Sequence, residues 1–214
     1  KVSSDPGLAT LIPGRFQQTS NEKAVVFVHD ISRDGDTLSK VFLAQQATED
    51  GGQHSVVYAQ SGTVTEDGKY LIVTAANATS GNKLLLKDLT DASSKFITLD
   101  GEGSADYQLV DSVGDKLYFE TNFKAPNNRL IMIDATKASQ DQWLDIIPET
   151  KNVLSVSKGA GALFANYMVD AVSKVQQYDL DGKLVRDVQL PGVGSVGGFD
   201  GKAKDAVLYY SFAN

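Results

Sequence analysis

The chain has 214 residues, with 20 Lys and Arg against 27 Asp and Glu, and therefore a formal net charge of −7. This acidic balance, without any run of basic residues, argues against a nucleic-acid-binding protein, which needs a clustered basic surface. The 42% hydrophobic content is typical of a folded domain, no apolar run approaches the roughly 20 residues of a membrane helix, and the absence of cysteine excludes disulfides and thiolate chemistry.

The apolar residues occur in short runs rich in β-branched and aromatic side chains, which predicts strands rather than helices. The predicted strands in chain order are Ala24 to His29, Lys40 to Gln45, Ser55 to Ala59, Tyr70 to Ala75, Lys83 to Asp88, Phe96 to Leu99, Gln108 to Val113, Lys116 to Thr121, Arg129 to Asp134, Val153 to Lys158, Ala162 to Met168, Lys174 to Leu180, Leu184 to Leu190 and Val207 to Phe212. One helical turn is predicted, from Ser139 to Leu144.

Turn chemistry separates many of these runs. An Asp-Gly pair supplies the positive φ that tight hairpins require, so each pair predicts a turn between antiparallel strands. The six pairs are Asp34-Gly35, Asp50-Gly51, Asp67-Gly68, Asp100-Gly101, Asp181-Gly182 and Asp200-Gly201. The expected fold class is therefore all-β and antiparallel.

A repeat with a period in the mid-forties organises the chain. Three segments share a cation, an apolar residue, three further residues, an Asp and an apolar residue; they begin at Lys83, Arg129 and Lys174. The preceding strands repeat at nearly the same spacing. A period of this length with about four strands per unit is typical of β-propeller blades, so we expect a partial β-propeller of about three to four four-stranded antiparallel blades.

The Asp that recurs in each repeat, at 88, 134 and 179, is predicted to be structural. An Asp at the end of a strand accepts hydrogen bonds from backbone N–H groups of the following turn. Trp143 and the strand aromatics are expected to pack between sheets, because each aromatic side chain buries a large apolar area.

From residue 63 to residue 214 the chain resembles the β-propeller domain of prolyl oligopeptidase, of the S9 serine peptidase family. The stretches that carry the resemblance are Val64-Thr65-Glu66-Asp67-Gly68-Lys69-Tyr70-Leu71, Ala125-Pro126-Asn127-Asn128-Arg129-Leu130, Trp143-Leu144-Asp145-Ile146-Ile147-Pro148-Glu149, Asn152-Val153-Leu154, Leu190-Pro191-Gly192-Val193-Gly194-Ser195 and Tyr209-Tyr210-Ser211-Phe212.

The resemblance implies a propeller that caps an α/β-hydrolase domain and filters peptide substrates by size. The hydrolase domain itself is missing here. There is no Gly-x-Ser-x-Gly motif, and the two histidines, His29 and His54, lie outside the resembling region. No catalytic, cofactor-binding or metal-binding residue is therefore predicted, no cofactor is expected, and hydrolysis by this chain alone is not expected.

Residues 1–62 instead resemble the first half of the periplasmic domain of LptF, a permease subunit of the lipopolysaccharide export transporter. The resembling stretches are Pro6-Gly7-Leu8-Ala9-Thr10, Pro13-Gly14-Arg15-Phe16-Gln17-Gln18, Val25-Val26-Phe27-Val28, Val41-Phe42-Leu43-Ala44-Gln45-Gln46 and Val56-Val57-Tyr58-Ala59-Gln60-Ser61-Gly62. This predicts an N-terminal β-segment of jellyroll type, a domain division between residues 62 and 63, and a chimeric chain joined at Ser61-Gly62.

Three local motifs favour structural over chemical interpretations. Gly192-Val193-Gly194-Ser195-Val196-Gly197 fits G-x-G-x-x-G but precedes no predicted helix, so a turn is expected. The carboxylates of residues 30–36 and of Asp179-Leu180-Asp181-Gly182 lack the final Glu of a calcium loop. Asn77-Ala78-Thr79 is expected to be a turn rather than a glycosylation site.

Two functions follow from the resemblances. The first is the non-catalytic propeller portion of a prolyl oligopeptidase-like enzyme, which gates peptide access in the parent. The alternative is a periplasmic jellyroll that binds lipid or lipopolysaccharide, with acyl chains lying along inward positions. Those positions are Val26, Val28, Val41, Leu43, Val57, Leu71, Val73, Leu84 and Leu86. Both versions predict a periplasmic location, no nucleic-acid partner, no membrane-spanning segment and self-association through exposed strand edges.

Overall fold

The structure, a computed structural model, describes residues 25–33, 36–44, 59–76, 80–91 and 93–214, with side chains from residue 62 onward. Its strands are Val25–Arg33 (β1), Asp36–Ala44 (β2), Ala59–Val64 (β3), Tyr70–Ala76 (β4), Lys83–Asp88 (β5), Ile97–Asp100 (β6), Tyr107–Val113 (β7), Lys116–Thr121 (β8), Arg129–Asp134 (β9), Leu144–Ile147 (β10), Val153–Gly159 (β11), Ala162–Val169 (β12), Val172–Tyr178 (β13), Leu184–Asp187 (β14), Ser195–Gly198 (β15) and Tyr210–Ala213 (β16).

The chain divides into two compact units, Lys1–Ala105 and Asp106–Asn214. In the first unit, β1 to β6 form one antiparallel sheet in chain order. Strand β2 pairs with β3 through Lys40 opposite Thr63 and Val41 opposite Gly62. Strands on both sides of the expected division at residues 62 and 63 therefore share one sheet.

The second unit contains two four-stranded antiparallel sheets and one strand pair. Strands β7 to β10 form the first sheet, β11 to β14 the second, and β15 pairs with β16. Each connection joins neighbouring strands, as expected for propeller blades. The all-β class and the four-stranded repeat are thus confirmed, whereas nothing in the described residues supports a jellyroll segment.

The most buried strands of the four-stranded sheets lie at their centre, in β8, β9 and β12. In β8, Leu117, Tyr118 and Phe119 are all at most 1% exposed, because a strand paired on both edges and packed on both faces has no polar side. A cluster that includes Leu130, Leu154 and several neighbours joins the β7–β10 sheet to the β11–β14 sheet.

A second apolar cluster joins the β11–β14 sheet to the chain around β15 and β16. Phe164 stacks on Phe199 with ring centroids 4.9 Å apart, and Phe199 stacks on Tyr210 at 4.8 Å. These aromatics do pack between sheets. Trp143 differs, because its ring meets Tyr107 and Phe123 edge-on at the end of a single sheet.

Four of the six Asp-Gly pairs lie in the described residues, and two of them behave as predicted. Gly68 and Gly182 have φ of +74° and +81° in the β3–β4 and β13–β14 turns. At Asp200-Gly201 the left-handed residues are instead Gly198 and Phe199, just upstream. At Asp100-Gly101 it is Gly103. The pairs at 34–35 and 50–51 lie outside the described residues.

Other strand bounds differ as well: β1 and β2 are longer than predicted, β3 begins at Ala59, and the rest of the predicted strand from Ser55 to Ala59 lies outside the described residues. The predicted helical turn is a 3-10 turn at Gln140–Gln142. Strands β10 and β15 were not predicted, β14 ends at Asp187 rather than at Leu190, and β16 begins at Tyr210 rather than at Val207. No helix among the described residues is long and apolar enough to span a membrane.

Candidate functional site: the joints between neighbouring sheets

Each repeated aspartate closes the turn that follows its strand. Asp88 ends β5, Asp134 ends β9 and Asp179 follows β13. Asp88 accepts hydrogen bonds from the backbone N and the hydroxyl of Thr90, at 2.8 and 2.6 Å. Asp134 accepts the same pair from Thr136, at 2.9 and 2.6 Å. These hydrogen bonds, from the hydroxyl first and the backbone N–H second, lower the pKa of both carboxyl groups. The prediction of a structural role is confirmed.

Asp179 closes its turn without a hydroxyl partner. Its carboxylate accepts from the backbone N of Asp181 at 3.1 Å and of Lys183 at 2.8 Å. One oxygen of this carboxylate, Oδ1, is therefore engaged by the turn. Within the part of the chain that the structure describes, no three His, Asp or Glu side chains gather as a metal site.

The glycine-rich loop leads into a strand. Residues 195–198 form β15, so the helix N-terminus that a dinucleotide phosphate needs does not follow. A Cβ added at Gly194 would lie 2.1 Å from the carbonyl oxygen of Ala213. Glycine is required there because the loop passes against β16.

Two positions considered in the sequence lie outside the described residues, namely His54 and the segment 77–79. His29 lies in β1, where only the backbone is described. The structure therefore adds nothing to the expectations made for these residues.

In the second unit, polar contacts connect the first strands of successive sheets. Lys158 of β11 forms an ion pair with Asp111 of β7, with Nζ 2.8 Å from Oδ1 and side chains 27% and 10% exposed. Ser157, next to Lys158, donates its hydroxyl to the carbonyl oxygen of Gly198 in β15 at 2.9 Å. The first strands β7, β11 and β15 are thus connected in sequence.

Side chains form hydrogen bonds along the edge of β11 that does not pair with β12, which we call its open edge. Glu120 of β8 accepts the backbone N–H of Val156 at 2.6 Å through Oε2, and accepts Nδ2 of Asn128 at 3.0 Å through Oε1. The same Asn128 amide donates to the carbonyl oxygen of Leu154 at 3.0 Å. The N–H of Leu154 donates to the carbonyl oxygen of Asn127 at 2.9 Å.

Burial of Glu120 between two sheets raises the pKa of its carboxyl group, and the hydrogen bonds from Val156 and Asn128 oppose that shift. The carboxylate is thus held where water does not solvate it freely. It remains satisfied because both of its oxygens accept hydrogen bonds.

The joint between the β11–β14 sheet and β15 has the same arrangement with different residues. Asn166 of β12 donates to the carbonyl oxygen of Val196 at 3.2 Å, and the Ser173 hydroxyl accepts the Val196 N–H at 3.0 Å. Ser173 in turn donates its backbone N–H to the carbonyl oxygen of Gly194 at 2.9 Å. Sequence reasoning missed both joints, and the equivalence of Glu120 and Asn166 follows from the strand register, which places them opposite Leu130 and Val175.

Comparisons with known proteins agree with this architecture. The family described as prolyl oligopeptidase, N-terminal β-propeller domain, matches residues 18–214. Prolyl endopeptidase of Elizabethkingia miricola is 39% identical over 199 residues, which cover 87% of this chain and 28% of that protein. Prolyl endopeptidase of Elizabethkingia meningoseptica is 44% identical over 151 residues, covering 71% and 21%. The chain therefore spans less than a third of either relative.

Solved structures show the same fold. A prolyl endopeptidase structure matches 89% of this chain with a TM-score of 0.67 and 28% identity, over 30% of its own length. Prolyl oligopeptidase B from Galerina marginata, bound to a 35mer hydrolysis and macrocyclization substrate, matches 89% with a TM-score of 0.66 and 21% identity, over 28% of its length.

The LptF resemblance is also found, with a smaller extent. LptF of Escherichia coli K12 is 33% identical over 90 residues, which cover 41% of this chain and 24% of that protein. The peptidase family match begins at residue 18 rather than at residue 63 and includes Ser61-Gly62, so a junction there has no support. The chain belongs to the prolyl oligopeptidase N-terminal β-propeller family.

Proposed function

We propose that this segment is part of a propeller that limits which peptides reach the catalytic centre of a longer prolyl oligopeptidase-like enzyme. The observation that carries the proposal is the family match over residues 18–214, together with the match to a relative that is bound to a 35mer substrate. The segment itself supplies no catalytic residue in this proposal.

The joints described above support a filtering role. A filter must keep the spacing of its blades while peptides press against it. The Asp111–Lys158 pair joins two first strands at 2.8 Å and is largely removed from water, so it resists separation of β7 from β11 more than an exposed pair would.

The test uses a full-length prolyl endopeptidase that carries this segment, with the double variant Asp111→Asn/Lys158→Met. We expect kcat/KM for a 35-residue peptide, the length bound by the Galerina enzyme, to rise severalfold relative to kcat/KM for a blocked Gly-Pro substrate. The matched control is Arg129→Met/Asp145→Asn, which removes an ion pair within one sheet. An unchanged ratio in the Asp111/Lys158 variant would contradict the filtering role.

The second candidate function is lipid binding, favoured by the 33% identity to LptF over 90 residues. Of the positions proposed to contact acyl chains, Leu71, Val73, Leu84 and Leu86 are at most 4% exposed, so lipid would have to displace their protein neighbours. The chain is to be delipidated and titrated with lipopolysaccharide. Saturable binding that is lost in Val73→Asp supports this function, and no binding rejects it.

The periplasmic location and the division at residues 62 and 63 belong to the same set of proposals. Cell fractionation of the full-length protein tests the location, since a cytosolic protein would contradict it. Limited proteolysis tests the division: a stable fragment beginning near residue 63 would support it, and cleavage elsewhere only would reject it.

A further inference from the structure

We propose that two positions in each repeat of the second unit form a clasp that fixes the first strand of the following sheet. The first position is the fifth residue of the second strand, which is Glu120 in β8 and Asn166 in β12. The second is the residue before the repeated cation, which is Asn128 or Ser173. The clasp consists of these side chains and does not depend on any role in peptide filtering.

The register of the strands shows that the two pairs of positions are equivalent. Glu120 lies opposite Leu130 in the β8–β9 pair, and Asn166 lies opposite Val175 in the β12–β13 pair. Leu130 and Val175 each stand two residues after the second clasp position. Both clasps therefore extend from the same place in a blade.

Each clasp supplies one acceptor and one donor to a strand edge that would otherwise be unsatisfied. A buried backbone N–H or C=O without a partner is costly, so the edge needs both. In the first clasp Glu120 accepts from Val156 and Asn128 donates to Leu154. In the second the roles are exchanged, since Asn166 donates and Ser173 accepts, both at Val196.

The two clasps differ in selectivity, because the ionised Glu120 carboxylate can only accept hydrogen bonds, whereas the Asn166 amide and the Ser173 hydroxyl can each donate or accept. The first clasp binds the N–H of Val156 and the C=O of Leu154, two residues apart. The second binds the N–H and the C=O of one residue, Val196. If β15 lay at the first joint in the same register, the carbonyl oxygen of Val196 would face the Glu120 carboxylate, acceptor against acceptor. The first clasp therefore disfavours β15 in the place of β11.

The test measures amide hydrogen exchange by NMR in the 214-residue chain. We expect Glu120→Met to accelerate exchange at Val156 by about tenfold or more, because the lost hydrogen bond to a charged group is replaced by an apolar contact. Exchange at Val196 is expected to stay unchanged. Ser173→Ala is the matched variant and should accelerate Val196 while leaving Val156 unchanged.

Global destabilisation is separated from clasp loss by the pattern across the two joints. Equal acceleration at Val156 and Val196 in either variant, or no acceleration at the expected amide, would overturn the clasp. If Glu120→Met does not fold, Asn128→Gly removes the amide that holds the Glu120 carboxylate against the Val156 N–H while keeping the φ of +67° at that position, and the same pattern is scored at Val156 and Val196.

Discussion

The two edges of each four-stranded sheet are stabilised in different ways. We call the edge formed by the first strand, β7 or β11, the inner edge, and the edge formed by the fourth strand, β10 or β14, the outer edge. At the inner edge, β11 receives side-chain hydrogen bonds from the preceding sheet, and Asp111 in the inner ion pair is only 10% exposed. At the outer edge, β10 and β14 have four residues each, whereas β7 and β11 have seven each. Short edge strands offer little template for pairing with another chain, whereas the open edge of β11 is satisfied within the molecule. The hydrogen bonds and the buried ion pair that connect successive first strands therefore lie at the inner edge.

The largest expected difference between the two edges is in apolar packing. Leu154→Ala removes a side chain of the inner strand β11 that is 1% exposed and packs between sheets, and it should lower the free energy of unfolding by about 2–5 kcal/mol. Val185→Ala, on the outer strand β14, removes a side chain that is 56% exposed and should change it by less than about 0.5 kcal/mol. Urea denaturation measures both. Similar losses would contradict the contrast between the edges.

The ion pairs should differ in the same direction by a smaller amount. A double-mutant cycle on Asp111 and Lys158 should give a coupling energy of about 1–3 kcal/mol, because that pair is mostly buried. The cycle on Arg129 and Asp145, where Asp145 is 47% exposed, should give about 0–1 kcal/mol. A larger coupling energy for Arg129–Asp145 than for Asp111–Lys158 would contradict the stronger contribution assigned to the buried pair.

Glu120 should make the free energy of unfolding depend on pH at values above the ordinary pKa of a Glu side chain. Its folded pKa is raised from 4.5, so the folded state binds the proton more strongly than the unfolded state. Its contribution to stability is therefore present at low pH and is lost as pH rises through the folded pKa. Wild-type stability should fall more steeply with rising pH just above 4.5 than that of Glu120→Gln. Parallel curves would contradict the burial of this carboxylate.

The turn aspartates should act with the opposite sign and the smallest effect. Their folded pKa values are lowered from 3.8, so their contribution is present above that value and is lost as pH falls through the folded pKa. Asp134→Asn should slightly lower the melting temperature at neutral pH and flatten the acid limb of the stability curve. An unchanged acid limb in Asp88→Asn and Asp134→Asn together would argue against these turns as its cause.

Short apolar runs were enough to predict strands that are paired on both sides. The bounds of β5, β8 and β9 are those expected, because strands paired on both edges carry uninterrupted apolar runs. The short strands β10 and β15 were missed, since four residues provide too few alternations to detect. The turns at residues 100–101 and 200–201 also differed, because the chain takes its left-handed residues nearby instead.

The joints were less accessible to sequence reasoning. Glu120 and Asn166 occupy the same repeat position with different chemistry, so their shared role is visible only when the hydrogen bonds to Val156 and Val196 are known. The Asp repeat was easier to interpret, because an Asp acting on the next two residues is a local interaction.

Amide hydrogen exchange of the wild-type chain tests the central claim most directly. The claim is that the open edge of β11 is satisfied by the preceding sheet. Leu154 and Val156 should then be protected as strongly as the central amides of β8, and far more than the amides of the outer strand β14. Exchange of Leu154 and Val156 at the rate of β14 would contradict the claim, because it would leave the edge of β11 open to water.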